Sequence, residues 1–116
     1  MNAEILAADH VLAVLSAHIG AERGIPIEVL VAELQTRNPG VLLHHRQVRR
    51  LVEQLRATGH HVCAHPETGY FMAETPEELD RTCEFLYERA MTSLRQVAAM
   101  RRISLPDLRG QLHLPT

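Results

Sequence analysis

Three histidines and a cysteine crowd the stretch RATGHHVCAHPETGYFMAE, which runs from Arg56 to Glu74. Side chains alternate along a β-strand, so His61, Cys63 and His65 would share one face as an H-x-C-x-H array. Imidazole and thiolate are metal ligands, and His44, His45, His60 and Cys83 extend the candidate set. A structural zinc site, however, draws four ligands from paired motifs, and although His61 and His65 stand at H-x-x-x-H spacing, no C-x-x-C pair accompanies them. The expectation is therefore no metal and no cofactor. These side chains read as the polar outer face of a hairpin, with Val62 and Ala64 turned to the core. Tyr70 and Met72 would join Val62 inside, leaving Phe71 outward, to be covered by the long helix or by a partner.

A second chemistry lies just upstream, in HHRQVRRLVEQLRATG. Val48, Leu51, Val52 and Leu55 recur at i, i+3, i+4 and i+7 and predict a helix over 44–58 with one narrow apolar stripe. Arg46 and Arg50 project almost opposite that stripe, with Gln47, Arg49, Glu53 and Gln54 on the flanks. Arginine bonds guanine in a bidentate manner and glutamine bonds adenine, while neighbouring arginines hold phosphates. Four arginines against one glutamate give this segment a local charge of +3 in a chain whose net charge is -2. Any surface helix also carries charges opposite its stripe, so the pattern is read together with its neighbours.

Those neighbours are helices and turns. Val11, Leu12, Leu15 and Ile19 predict a first helix from Ala3 to about Ile19, closed by Gly20. Ile27, Leu30, Val31 and Leu34 predict a second, short one, and TRNPG reads as a loop. Gly59 is placed to cap the third helix. HHVCAH and YFMAE flank PETG as a hairpin. Thr75 to Glu78 is a capping box with Pro76 at the first helical position, opening a helix that runs to about Ile103. The fold class expected is mainly α with a small β-hairpin: a winged helix-turn-helix over residues 1–74, a long C-terminal helix over 75–103, and a tail over 104–116.

IPIEVLVAEL, followed by RQVRRLVEQLRATGHHVCAHPETGYFMAE, resembles the second helix, recognition helix and wing of the biotin-repressor N-terminal type, and is similar to small winged-helix proteins encoded in phage and prophage genomes. The resemblance covers about residues 8–74, its more specific part being Gly69-Tyr70 followed by AETPEEL. The connection QTRNPGVLLHH is longer than that family's tight turn. Either the third helix begins early, at Val41, or a loop is inserted. The resemblance implies sequence-specific binding of double-stranded DNA by a small transcriptional regulator of phage type. His45, Arg46, Gln47, Arg49, Arg50 and His65 are the residues expected to meet DNA.

In the long helix, Leu79, Cys83, Leu86, Ala90, Leu94 and Val97 follow a near-heptad seam expected to pair with a second copy, parallel or antiparallel. The alternative is an amphipathic helix folded back on its own domain. A homodimer would double the few basic groups available to phosphates. A competing function is a protein-interaction module in phage replication, packaging or host interaction, using this helix and the tail PDLRGQLHLPT. No nucleophile elbow, phosphate loop or paired-carboxylate cleft points to an enzyme. Two cysteines without a framework, and no signal-like or spanning apolar run, suggest a cytoplasmic protein without membrane contact.

Overall fold

The computed structural model describes residues 6–106. Its elements are α1 (Ala8–Leu15), a 3-10 turn (Ala21–Arg23), α2 (Ile27–Arg37), α3 (His45–Ala57), β1 (Val62–His65), β2 (Gly69–Met72) and α4 (Pro76–Arg101). This is the mainly α architecture with a hairpin and a long final helix that the sequence pattern implied. The expected helix start at Ala3 and the last ten residues of the tail lie outside the described residues. The chain separates into two compact units between Thr82 and Cys83, so the first two turns of α4 belong with the body that precedes them.

The core of that body is almost purely aliphatic. Val11, Val14 and Leu15 of α1, Leu30 and Leu34 of α2, and Val48, Val52 and Leu55 of α3 are buried together with Val62 of β1. These are the stripe positions of each helix, so the 3.6-residue repeat of apolar side chains is what brings the three helices onto one another.

α1 ends four residues before the point its periodicity suggests. Ser16 Oγ donates to Ala13 O at 2.7 Å, and two tight turns follow, Ala17 N to Val14 O and His18 N to Leu15 O. The chain then extends alongside β2. Met72 N donates to His18 O at 2.8 Å and Gly20 N to Met72 O at 2.9 Å, while Ile25 and Tyr70 exchange bonds of 2.8 and 2.9 Å. Ile19 therefore bridges to Met72 and is half exposed, rather than filling the core as expected. Backbone pairing with the hairpin outweighs continuation of the helix.

Two glycines make that pairing possible. Gly69 has φ +97°, and a Cβ there would lie 2.3 Å from Ile25 O; a Cβ on Gly24 would lie 2.5 Å from Thr68 O. In both cases the obstruction is main chain, so nothing short of separating the strands would relieve it.

β1 and β2 pair antiparallel, with Val62 opposite Met72, Cys63 opposite Phe71 and Ala64 opposite Tyr70. The expected facing is partly reversed. Val62 is buried, with Tyr70 and Met72 packed at the core margin, but Cys63 and Phe71 are buried as well and Ala64 is exposed. The reason is α4. Cys63 Sγ donates to Glu78 O at 3.7 Å and Ala64 N to Thr82 Oγ1 at 3.4 Å, so the first turns of α4 cover the face predicted to be outward. On the same outer edge of β1, Arg56 Nε donates to Val62 O at 2.8 Å.

Glu78 ties these pieces together. Thr75 Oγ1 accepts from Glu78 N at 3.2 Å, the cap predicted for α4. The Glu78 carboxylate accepts from Glu74 N at 2.7 Å and reaches across to Ala21 N at 2.9 Å. Donation from Ala21, then from Glu74, holds its carboxyl below the ordinary glutamate value.

Beyond Thr82, α4 continues to Arg101 and ends in a Schellman arrangement. Arg102 takes φ 56°, Arg102 N donates to Ala99 O and Ile103 N to Ala98 O at 3.0 Å.

Candidate nucleic-acid interface

The outer side of α3 is built from its inner side. With Val48, Val52 and Leu55 buried, the 100° step between residues turns Arg46, Arg49 and Arg50 to solvent, and all three are exposed. Among the described residues none of the three forms an ion pair or hydrogen bond, and the ion pair that does form, Arg37–Glu33, is on α2. Three guanidinium groups thus stand within two turns of one helix face, with their donors uncommitted. Glu53 lies on the same face, also exposed.

The α2–α3 connection resolves into a true loop, since α3 starts at His45 and not at Val41. It is pinned at alternate positions. Val41 and Leu43 are buried in the core, and Gln35 Nε2 donates to Val41 O. Asn38 Nδ2 donates to Leu34 O at 2.9 Å, closing the end of α2. Leu42, between the two pegs, is 76% exposed directly before the start of α3. The long connection therefore holds α3 by two apolar side chains.

Gln47 has a task the sequence reading did not give it. Its Oε1 accepts from His44 N at 2.9 Å, so its acceptor closes the N-terminus of α3. The amide NH₂ remains as a donor only, and the adenine pairing, which needs both, would require breaking the cap. His45 is exposed in the first turn, beside Arg46. His65 is half-buried in the hairpin, where its Nδ1 accepts from Glu67 N at 3.1 Å and orders the turn. The structure thus groups His45, Arg46, Arg49 and Arg50 on one helix face, and gives Gln47 and His65 local bonds of their own.

No family, curated protein or solved structure matches this chain. The reading of the site rests on its own geometry.

The H-x-C-x-H face does not assemble. Cys63 is fully buried against Glu78 O, and among the described residues no three His, Cys, Asp or Glu side chains come together as metal ligands. Arg56, which entered the segment's charge count but not the residues expected to meet DNA, is committed to Val62 O and holds the hairpin to α3. Its position in the last turn of α3, immediately before the hairpin, is the signal for that role. Glu78 and Thr82, the other two clasps, were legible only as a cap residue and a helix residue.

The seam residues of α4 divide at the unit boundary. Leu79 is half-buried in the first body, while Cys83, Leu86 and Ala90 are exposed and Leu94 and Val97 are half-buried. Phe85 and Tyr87 are more than half exposed, and the Arg89 guanidinium lies 5.7 Å from the Phe85 ring centre. Among the described residues no helix is long and apolar enough to cross a membrane.

Proposed function

We propose that this protein binds double-stranded DNA as a winged helix-turn-helix regulator of phage type, with α3 in the major groove, the β1–β2 hairpin beside the backbone, and two copies joined through α4. The observation that carries this reading is the set of exposed, uncommitted guanidinium groups of Arg46, Arg49 and Arg50 on the solvent side of a helix whose other side is fully packed. Groups with unsatisfied donors on one rigid face suit phosphates and guanine edges. The hairpin brings histidines but neither lysine nor arginine, so α3 supplies the cationic contacts.

Selection of duplexes from a random pool, followed by fluorescence anisotropy at several salt concentrations, tests it. Neutralising three phosphates per copy gives a salt slope of about -2.7, and two copies give about -5. Arg46→Ala or Arg50→Ala should each cost about 1–3 kcal/mol on the selected site. If neither changes binding, α3 is not the reading helix.

A second reading is favoured by one observation. Phe85, Tyr87 and Met100 are strongly exposed on α4, as suits a module that docks on another protein. Absence of any duplex binding at low salt would select it. Phe71, which the sequence offered as an outward contact for such a partner, is buried and gives no support.

A further inference from the structure

We infer that Leu42 is a base-reading residue that packs on the C5-methyl group of a thymine beside the base pairs met by α3. This rests on the DNA-binding reading above and assigns to it a residue and a base.

Single exposed leucines are common on protein surfaces, but this one is held in place. Val41 and Leu43, on either side of it, are buried in the same core as Val48, Val52 and Leu55 of α3. Side chains alternate along an extended chain, so Leu42 is turned away from that core, and 76% of it meets solvent. Arg46, Arg49 and Arg50 also face away from the core, which sets Leu42 beside the first turn of the basic face. The main chain is bonded on both sides of it. Val41 N donates to Asn38 O at 3.2 Å, Gln35 Nε2 donates to Val41 O, and His44 N donates to Gln47 Oε1 at 2.9 Å. A side chain carried by so constrained a backbone loses little further freedom on contact.

The surroundings select the kind of contact. Among the described residues from 38 to 50, Leu42 is the sole large hydrophobic side chain that is exposed. His44, His45 and Arg46 follow it closely. A protein partner is marked by a contiguous apolar patch, which a single leucine does not supply. DNA asks for less. The C5-methyl of thymine is the apolar feature that a base pair displays in the major groove, and apolar side chains read it by contact. From Leu42 to His45 an extended chain spans at most about 11 Å, roughly three base-pair steps at 3.4 Å each. The thymine therefore lies within about three base pairs of the base that the first turn of α3 meets.

The test uses the full chain, the duplex obtained by selection, and anisotropy. Each thymine of the site is replaced in turn by uracil, which removes the methyl group and keeps the base-pairing edge. At one position the exchange should weaken binding of the natural chain about fourfold, the worth of one buried methylene-sized group. Leu42→Ala should weaken binding to the thymine site by at least as much, and the uracil exchange should then have no further effect. Because Leu42 is exposed, the variant should melt with the natural chain. Three results would each overturn the inference: a site indifferent to every uracil exchange, a methyl effect that persists in Leu42→Ala, or equal affinity of Leu42→Ala and the natural chain. If Arg46→Ala or Arg50→Ala still weakens binding in those cases, the proposed function stands and the assignment of Leu42 alone falls. Absence of all duplex binding overturns both and leaves the protein-docking reading.

Discussion

Replacing Gly69 by alanine isolates the contact on which the hairpin's position depends. Two costs add at this residue. At φ +97° an L side chain is strained by about 1–2 kcal/mol. Its Cβ would also lie 2.3 Å from Ile25 O and 2.6 Å from Pro26 N, both main chain, so the Ile25–Tyr70 bridge must open. That bridge has two hydrogen bonds, each worth about 1 kcal/mol net. The sum is about 3–4 kcal/mol, a large part of the 5–15 kcal/mol typical of a small domain. It corresponds to a fall in Tm of roughly 12–30 °C. Two controls divide the sum. Gly24 has an ordinary φ, and its Cβ would meet Thr68 O at 2.5 Å, so Gly24→Ala should cost about 2 kcal/mol from the lost bridge alone. Gly59 has φ +95° and open space, so Gly59→Ala should cost only the strain, about 1–2 kcal/mol. Urea titration of the three variants, read by circular dichroism, gives the values. Equal losses for Gly69→Ala and Gly59→Ala would refute the interlock, because they would leave nothing for the main-chain collision to contribute.

Four further outcomes follow from the geometry. Glu53→Gln removes the acidic group among Arg46, Arg49 and Arg50, and should tighten duplex binding several-fold in low salt, an effect that anisotropy should show fading as salt is raised. Glu78→Gln should flatten the acid limb of stability: a carboxyl held below its ordinary value stabilises the fold fully above that value and loses the contribution as pH falls through the folded one, so thermal melts of the two proteins should converge in acid. Arg102→Gly should raise the stability of the α4 terminus by about 1 kcal/mol, seen as reduced fraying in amide exchange at Met100 to Ile103, because glycine accepts the left-handed φ that arginine holds at a cost. Gln47→Ala should lower stability by about 1 kcal/mol through loss of the bond to His44 N, and Gln47→Glu, whose carboxylate can accept the same bond, should restore it; a Gln47→Glu protein no more stable than Gln47→Ala would contradict the cap assignment.

The elements of this chain are written locally, and so most of them could be read. The stripe from Val48 to Leu55 needs only a helix, and the Thr75–Glu78 cap needs only four residues. The hairpin needs the turn chemistry between His65 and Gly69. Whatever depends on a distant segment was hidden. The periodicity that carries α1 to Ile19 is overridden by hydrogen bonds to Met72, more than fifty residues away. Strand alternation separates the faces of the hairpin and placed Cys63 and Phe71 together opposite Val62, but it cannot say that α4 buries that face as well. At the candidate site the arginines were legible because exposure opposite a stripe is a local property. The cap made by Gln47 carried a local signal too, three residues after His44, and it was masked by the attraction of a glutamine at a reading position. Arg56 shows the limit most clearly: its charge was visible, and its bond to Val62 O was not.

The two clasps on β1 have a consequence for the life of the chain in a crowded solution. A strand edge with free N–H and C=O groups recruits strands from other molecules and seeds aggregation. Here Arg56 occupies Val62 O and Thr82 occupies Ala64 N, and β2 takes the other edge. One clasp arrives before the hairpin in the sequence and the other only with the second turn of α4. During synthesis, or after proteolytic loss of α4, the hairpin would stand with half of its guard missing, its apolar pair Cys63 and Phe71 uncovered. A truncated chain ending before Thr82 is thus the form most prone to join its neighbours into fibrils.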